Sequence, residues 1–183
     1  GLKAGQWTEN TSMALCVASS LLKQRNFNPY DQMVRYLWWY RYGYLSSTGY
    51  CFDIGNAMRE TLEDFARRQE VLKAHYRIIN DIEVDHLPLE HVRRVNGFNP
   101  YCGAPNVTTN TALVRLAAIP LFFYQNPQLA VELSGNSARL THGDVRAVDA
   151  CRYLGALIVA ALHGEPKNSL LSNDFYHAHQ AWF

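Results

Sequence analysis

The amino-acid sequence predicts an all-α fold, and three observations carry that expectation. Apolar residues recur three and four positions apart in several stretches. Those stretches open on Asn-Pro, Asp or Thr and close on glycine, the punctuation of helix ends. No segment alternates apolar and polar residues over the length a half-buried strand requires. With 183 residues, 48% of them apolar, the chain can bury a core of its own and is read as one domain over 1–183.

The elements follow in order. Thr11 to about Gln24 places Met13, Cys16, Val17, Leu21 and Leu22 near helical spacing. Asn28-Pro29 starts a second helix, with Asn28 as cap and Pro29 at the first helical position, where a missing N–H costs nothing. It runs through Met33, Val34, Leu37 and Trp38 to Gly43, a C-terminal glycine. Asp53 is expected to cap a third helix lined by Met58, Thr61, Leu62 and Phe65. Asn126-Pro127 repeats the Asn-Pro start, and Thr141-His142-Gly143-Asp144 introduces a long helix from Val145 to Leu162, closed by Gly164 and Pro166. Between Glu70 and Pro105, charges mix with Pro88, Gly97 and Pro100 without sustained periodicity. That region is expected to be an irregular insertion at about 70–105, with one short helix around Leu89 to Val95.

Composition removes several function classes. The net charge is +1 with acids and bases interspersed, so no basic field points to nucleic acid. The longest apolar stretch, Tyr153 to Leu162, is far below the roughly 20 residues a membrane span needs. The opening residues are glycine-rich and do not read as a secretory leader. Cys16, Cys51, Cys102 and Cys151 form no C-x-x-C pair. Cys16 and Cys151 fall inside apolar helical patterns, where a thiol acts as a small hydrophobe. Four reduced thiols imply an intracellular, reducing compartment, cytoplasm or organelle matrix.

The segment Thr8-Glu9-Asn10-Thr11 admits two readings. Asn10 or Thr11 can cap the first helix, with Glu9 at its positive end. The same four residues also cluster oxygen ligands of the kind a hard divalent cation requires.

Three longer segments bear on the choice: "GLKAGQWTENTSMALCVASSLL", "GYLSSTGYCFDIGNAMRETLEDFAR" and "LTHGDVRAVDACRYLGALIVAALHG". Together they resemble the ADP-ribosylglycohydrolase family, whose corresponding segments read W-T-D-D-T-S-M-A-L, G-x-C-F-D-I-G-N and T-H-G-x-x-x-A-V-D-A-C-R-Y. The resemblance covers roughly Gly1 to Asp64 and Asn106 to Phe175. It implies an all-α fold and, in active members, paired magnesium or manganese ions that help hydrolyse the glycosidic bond of ADP-ribose on a modified target. By that resemblance Thr8, Glu9 and Asn10 stand at the metal positions, Glu9 and Asn10 at the catalytic ones, and Asn110, Thr111 and His142 at ligand-binding ones.

The chain departs from the family pattern in three ways. Neither aspartate of T-D-D-T is kept: Glu9 carries its charge one methylene further out, and Asn10 has lost it. Where the family has G-N-G-S-L-M-R-x-x-P, Thr109 and Thr111 replace the glycines and Ala112 the serine, while Asn110, Leu113, Arg115 and Pro120 remain. Glycine permits a backbone to approach a diphosphate closely; β-branched threonine does not favour the same angles. The family's opening acidic segment and its late Asp-rich metal motif are not found in this stretch, which is expected to lack the family's first and last segments.

Several residues admit plainer roles. His142 is expected either to contact ADP-ribose or to bond its own backbone. Asp149 and Arg152, three apart, suit an intrahelical pair, and Asp53 suits a cap or an internal hydrogen-bond partner rather than a ligand contact. His86, Glu90 and His91 match no zinc spacing, because Pro88 interrupts the helix such motifs need. His177 and His179 would point apart on a helix and read as a solvated tail. The aromatic run Tyr36 to Tyr44 exceeds what one buried stripe requires, and its surplus suits a protein partner. The expected function is thus a catalytically impaired family member acting as a structural or binding subunit. The alternative is an active metal-dependent hydrolase acting on ADP-ribose or an ADP-ribosylated protein.

Overall fold

A computed structural model describes residues 2–183. Gly1, the first residue of the expected domain, lies outside the described residues. The chain divides into two compact units, Gly1–Cys102 and Gly103–Phe183. Among the described residues both are helical, and the nearest approach to a sheet is one isolated parallel bridge between Ala104 and His142.

The first unit holds α1 (Glu9–Gln24), α2 (Pro29–Tyr42), α3 (Asn56–Tyr76), α4 (Asp81–Asp85) and α5 (Leu89–Arg94). Helix α1 begins two residues earlier than periodicity suggests. Thr8 occupies the cap position in an extended conformation, its hydroxyl makes no capping bond, and its carbonyl accepts from the Ser12 backbone N–H at 3.3 Å. Asn10 and Thr11 therefore lie inside the first turn and do not cap it. Helix α2 behaves as read: the Asn28 side chain accepts from the Asp31 N–H, and Gly43 ends the helix at φ 67°. A Cβ at Gly43 would stand 2.4 Å from the Gly49 carbonyl, so the position is closed to other residues.

Asp53 does not cap α3. It adopts φ 60°, a left-handed turn conformation that Asp tolerates better than most residues, and the helix starts after Gly55. The stretch at about 70–105 is more regular than its composition suggests. Helix α3 continues to Tyr76, α5 falls near the expected short helix, and α4 is an additional turn capped by Asn80. Such five-residue helices are too short for periodicity to reveal.

The core of this unit comes from Met13, Cys16, Val17 and Leu21 of α1, Met33, Val34, Leu37 and Trp39 of α2, and Leu62, Phe65 and Leu72 of α3, all buried. A polar network threads it. The Tyr30 hydroxyl donates to the Val84 carbonyl at 2.6 Å, and Gln69 Nε2 donates to Tyr30 at 2.9 Å and to Asp85 Oδ1 at 2.8 Å. Buried polar groups require such partners, because an unmet one costs about 1–3 kcal/mol.

The second unit holds α6 (Thr111–Arg115), α7 (Ala118–Phe123), α8 (Pro127–Arg139), α9 (Val145–Leu162), α10 (Lys167–Leu170), α11 (Phe175–Ala178) and a closing 3-10 turn, Gln180–Trp182. Asn126 and Asp144 cap α8 and α9 by accepting from the Leu129 and Arg146 N–H groups. Helices α8 and α9 pack directly, and their approach requires Gly155, where a Cβ would meet Ser134 Oγ at 2.5 Å. Val131, Ala156, Ala160 and Phe175 form one apolar cluster; Ala112, Leu116, Ala138, Val148 and Cys151 form another.

His177 and His179 do point apart, yet only His177 is solvated. His179 is buried, stacks on Phe175 at 4.2 Å, and bonds Glu165 through Nε2 at 2.5 Å. That bond holds the Glu165 carboxyl below the usual range. Asp149 and Arg152 form the intrahelical pair at 3.3 Å.

Candidate functional site

In the first unit, Thr8, Glu9 and Asn10 form the entry to α1. Trp7, beside them, donates from its indole to Ser12 Oγ and to the Leu45 carbonyl, both at 3.2 Å, and its backbone is clamped by Ser47. This ties the helix start to the loop after α2. Glu9 Oε2 is buried and has no hydrogen-bond partner. A carboxylate oxygen withdrawn from water without a donor is costly, and a cation would relieve it.

The donor set, however, carries a single negative charge. Divalent cations bind at sites built from several oxygens, with carboxylates supplying the charge. Among the described residues no three His, Cys, Asp or Glu side chains are grouped as a metal site. Thr8, Glu9 and Asn10 fit part of one cation's ligand sphere and do not fit a pair of ions.

In the second unit, Thr109, Asn110, Thr111 and His142 come together. Thr109 and Asn110 are exposed on the loop before α6, and His142 lies beneath with 2% of its surface accessible. The His142 loop is clasped by residues 103 and 104. The Gly143 N–H donates to the Ala104 carbonyl at 3.0 Å, and a Cβ at Gly143 would stand 2.4 Å from the Gly103 oxygen. A Cβ at Gly103 would in turn meet Gly143 N at 2.6 Å. Both glycines are needed for this contact of backbone on backbone.

Each ring nitrogen of His142 meets a threonine. Thr141 Oγ1 lies 2.8 Å from Nδ1, and Thr109 Oγ1 lies 2.8 Å from Nε2. Fully buried Arg115 donates to Thr141 Oγ1 at 2.5 Å and to the Ser137 carbonyl at 3.3 Å. Arginine can only donate, so Thr141 Oγ1 accepts from Arg115. A neutral imidazole donates through one ring nitrogen and accepts through the other, so the two threonine hydroxyls between them satisfy both nitrogens. Burial, reinforced by the Arg115 charge, pushes the His142 pKa down to about 4, which keeps the ring neutral.

Two of these partners were not apparent from spacing. Thr141 adjoins His142 in sequence, but adjacency does not indicate a side-chain bond. Arg115 is one of the retained family positions, yet its burial beneath the loop is visible only in the structure. Thr109 and Thr111 both keep negative φ, so this loop does not use the conformations reserved for glycine. Asn110, at the cap position of α6, makes no side-chain capping bond.

The family model described as ADP-ribosylglycohydrolase matches residues 1–181. ADP-ribosylarginine hydrolase Tri1 of Pseudomonas putida (strain GB-1) is 30% identical over 171 residues, covering 93% of this chain and 39% of that protein. ADP-ribosylarginine hydrolase Tri1 of Serratia proteamaculans (strain 568) is 27% identical over 171 residues, with the same shares of 93% and 39%. A solved structure described as an ADP-ribosylglycohydrolase-related protein complex aligns with a TM-score of 0.68 and 34% identity, covering 97% of this chain and 47% of that one. The chain thus spans about two fifths of the length of these curated relatives and just under half of the solved chain.

Proposed function

Because the chain belongs to the ADP-ribosylglycohydrolase family, we propose that it is a catalytically impaired member serving as a structural or binding subunit. The observation that carries this reading is the bond from His142 to Thr109. The histidine at the position associated with ADP-ribose has both ring nitrogens engaged by its own chain, and the engaging threonine stands where the family has glycine. A diphosphate approaching this loop would meet a β-branched side chain and would have to break an existing hydrogen bond. The single charge at Thr8, Glu9 and Asn10 supports the same reading, since hydrolysis by paired ions needs both ions in place. Four free thiols suit residence in an intracellular, reducing compartment.

Calorimetric titration of the chain with ADP-ribose, with and without magnesium, tests the proposal. No measurable heat up to millimolar ligand is expected. Micromolar, magnesium-dependent binding would overturn it.

A second reading rests on Glu9. Its buried oxygen without a donor is the kind of group a cation would satisfy, and two of the relatives are named as ADP-ribosylarginine hydrolases. On that reading the chain belongs to an active hydrolase that acts on an ADP-ribosylated protein, with magnesium or manganese at Thr8, Glu9 and Asn10. The double substitution Glu9→Asp, Asn10→Asp discriminates. Raised magnesium affinity would favour the second reading, and an unchanged metal titration the first.

A further inference from the structure

The aromatic run on α2 does not behave as one block. Tyr36 and Trp39 are buried, whereas Trp38, Tyr42 and Tyr44 line a groove of about 560 Å³ together with Ile82, Asp85 and His86. Tyr42 and Ile82 form its exposed rim, with 65% and 74% of their surfaces accessible. Trp38 and Tyr44 meet edge to face at 5.5 Å, and His86 lies 5.5 Å from Trp38 on a tilted plane. Set into this aromatic wall is a carboxylate. Asp85 is only 6% exposed, and its two oxygens accept from the Trp38 indole at 2.7 Å and from Gln69 at 2.8 Å.

Both donors to Asp85 are neutral. Arg41 and Lys73 are engaged by Asp81 at 2.8 and 2.5 Å, and among the described residues Asp85 has no ion-pair partner. Each of its oxygens has accepted one bond and retains capacity for another. His86 Nδ1 donates to the Ile82 carbonyl at 2.7 Å, which leaves Nε2 of the neutral ring as a further acceptor. The groove therefore offers aromatic faces, a carboxylate lacking a cation, and an imidazole acceptor.

We propose that this groove binds an arginine side chain presented by an exposed segment of a partner protein. A planar guanidinium stacks on aromatic faces and directs its N–H fork to a carboxylate at the same time. A quaternary ammonium has no N–H to use the free acceptors, and a neutral aromatic group would bury Asp85 without a counter-charge. The molecule already places a guanidinium against these rings. Arg35, held by Asp31 at 2.6 Å, lies 5.8 Å from the Trp38 ring centre and 5.9 Å from that of Tyr44. The proposal is independent of whether the ADP-ribose site binds or hydrolyses anything.

Nuclear magnetic resonance titration with Nα-acetyl-arginine amide, followed at the Trp38 indole N–H, is the test. Nα-acetyl-citrulline amide, of nearly the same shape without the charge, and Nα-acetyl-lysine amide are the comparators. A saturable shift of the Trp38 signal by the arginine probe is expected, at least tenfold weaker with citrulline and with lysine. Tyr42→Ala, at an exposed position, should weaken the arginine response at least fivefold and leave the thermal midpoint unchanged. No saturable shift at Trp38, equal responses to arginine and citrulline, or a lysine response as strong as arginine would each overturn the proposal.

Discussion

Thr109 Oγ1 lies 2.8 Å from His142 Nε2, a bond that joins two loops 33 residues apart in the chain. It gives a buried ring nitrogen an exposed threonine as partner, so the loop before α6 and the loop before α9 are held as one piece. Removing that hydroxyl while keeping the side-chain shape should be costly. Thr109→Val is expected to lower stability by roughly 1–3 kcal/mol, the cost of a buried ring nitrogen left without a partner. Thr109→Ser should recover most of it. Urea unfolding of the three proteins measures both effects, and an unchanged Thr109→Val would mean that water replaces the hydroxyl.

The low pKa of His142 sets an acid dependence. Its folded value of about 4 lies below the ordinary 6.5, so the unfolded chain takes up the proton first as pH falls. The stabilisation is present above pH 6.5 and is lost as pH falls from there to about 4. The gap corresponds to roughly 3 kcal/mol for this group. Stability measured by urea between pH 7 and 4 should show this slope, and His142→Phe should flatten it while lowering stability at neutral pH.

Gly143→Ala is expected to cost about 2 kcal/mol or more, because its Cβ would stand 2.4 Å from the Gly103 oxygen and 2.8 Å from Ala104, both backbone contacts with no rotamer to relieve them. Gly49→Ala carries no such clash, although its φ of 80° makes it strained in a different way. Gly55→Ala has open space around it and no positive φ, so it lacks both kinds of strain and should cost less than Gly143→Ala, with only the lower preference for alanine at the α3 cap against it.

Helix caps give a graded series. Asn28→Ala and Asn126→Ala each remove a bond to the first turn and should cost about 1 kcal/mol. Thr8→Ala should cost much less, since the Thr8 hydroxyl makes no capping bond. Thermal unfolding of the three variants separates the cases.

The thiols should divide one against three. Cys51 is half-buried, whereas Cys16, Cys102 and Cys151 are buried, with burial pushing the latter two up to about 12 and 11. A thiol-reactive chromogen at pH 8 should label Cys51 first and the other three only on unfolding. Rapid labelling of two or more thiols in the native protein would contradict this burial pattern.

Much of the architecture was legible in the chain itself. The Asn-Pro starts at Asn28 and Asn126, the start of α9 after Asp144 and the glycine end of α2 were all readable, because a helix is closed by bonds four residues apart and its signals lie within the same turn. The three segments that resemble the ADP-ribosylglycohydrolase family were readable for a related reason: each is contiguous. Short helices such as α4 were not, since five residues carry too little periodicity.

By itself, then, the sequence determined the helical class, both ends of α2 and α9, the start of α8, and the family to which the chain belongs. Only the tertiary structure decided that His142 bonds Thr109 and Thr141, that Glu9 keeps a buried oxygen unmet, that His179 is buried against Glu165, and that Trp38 and Asp85 share a groove. Most of these depend on which distant side chains share a desolvated space. That choice is made by packing across many residues of chain, where no local rule of capping or periodicity reaches.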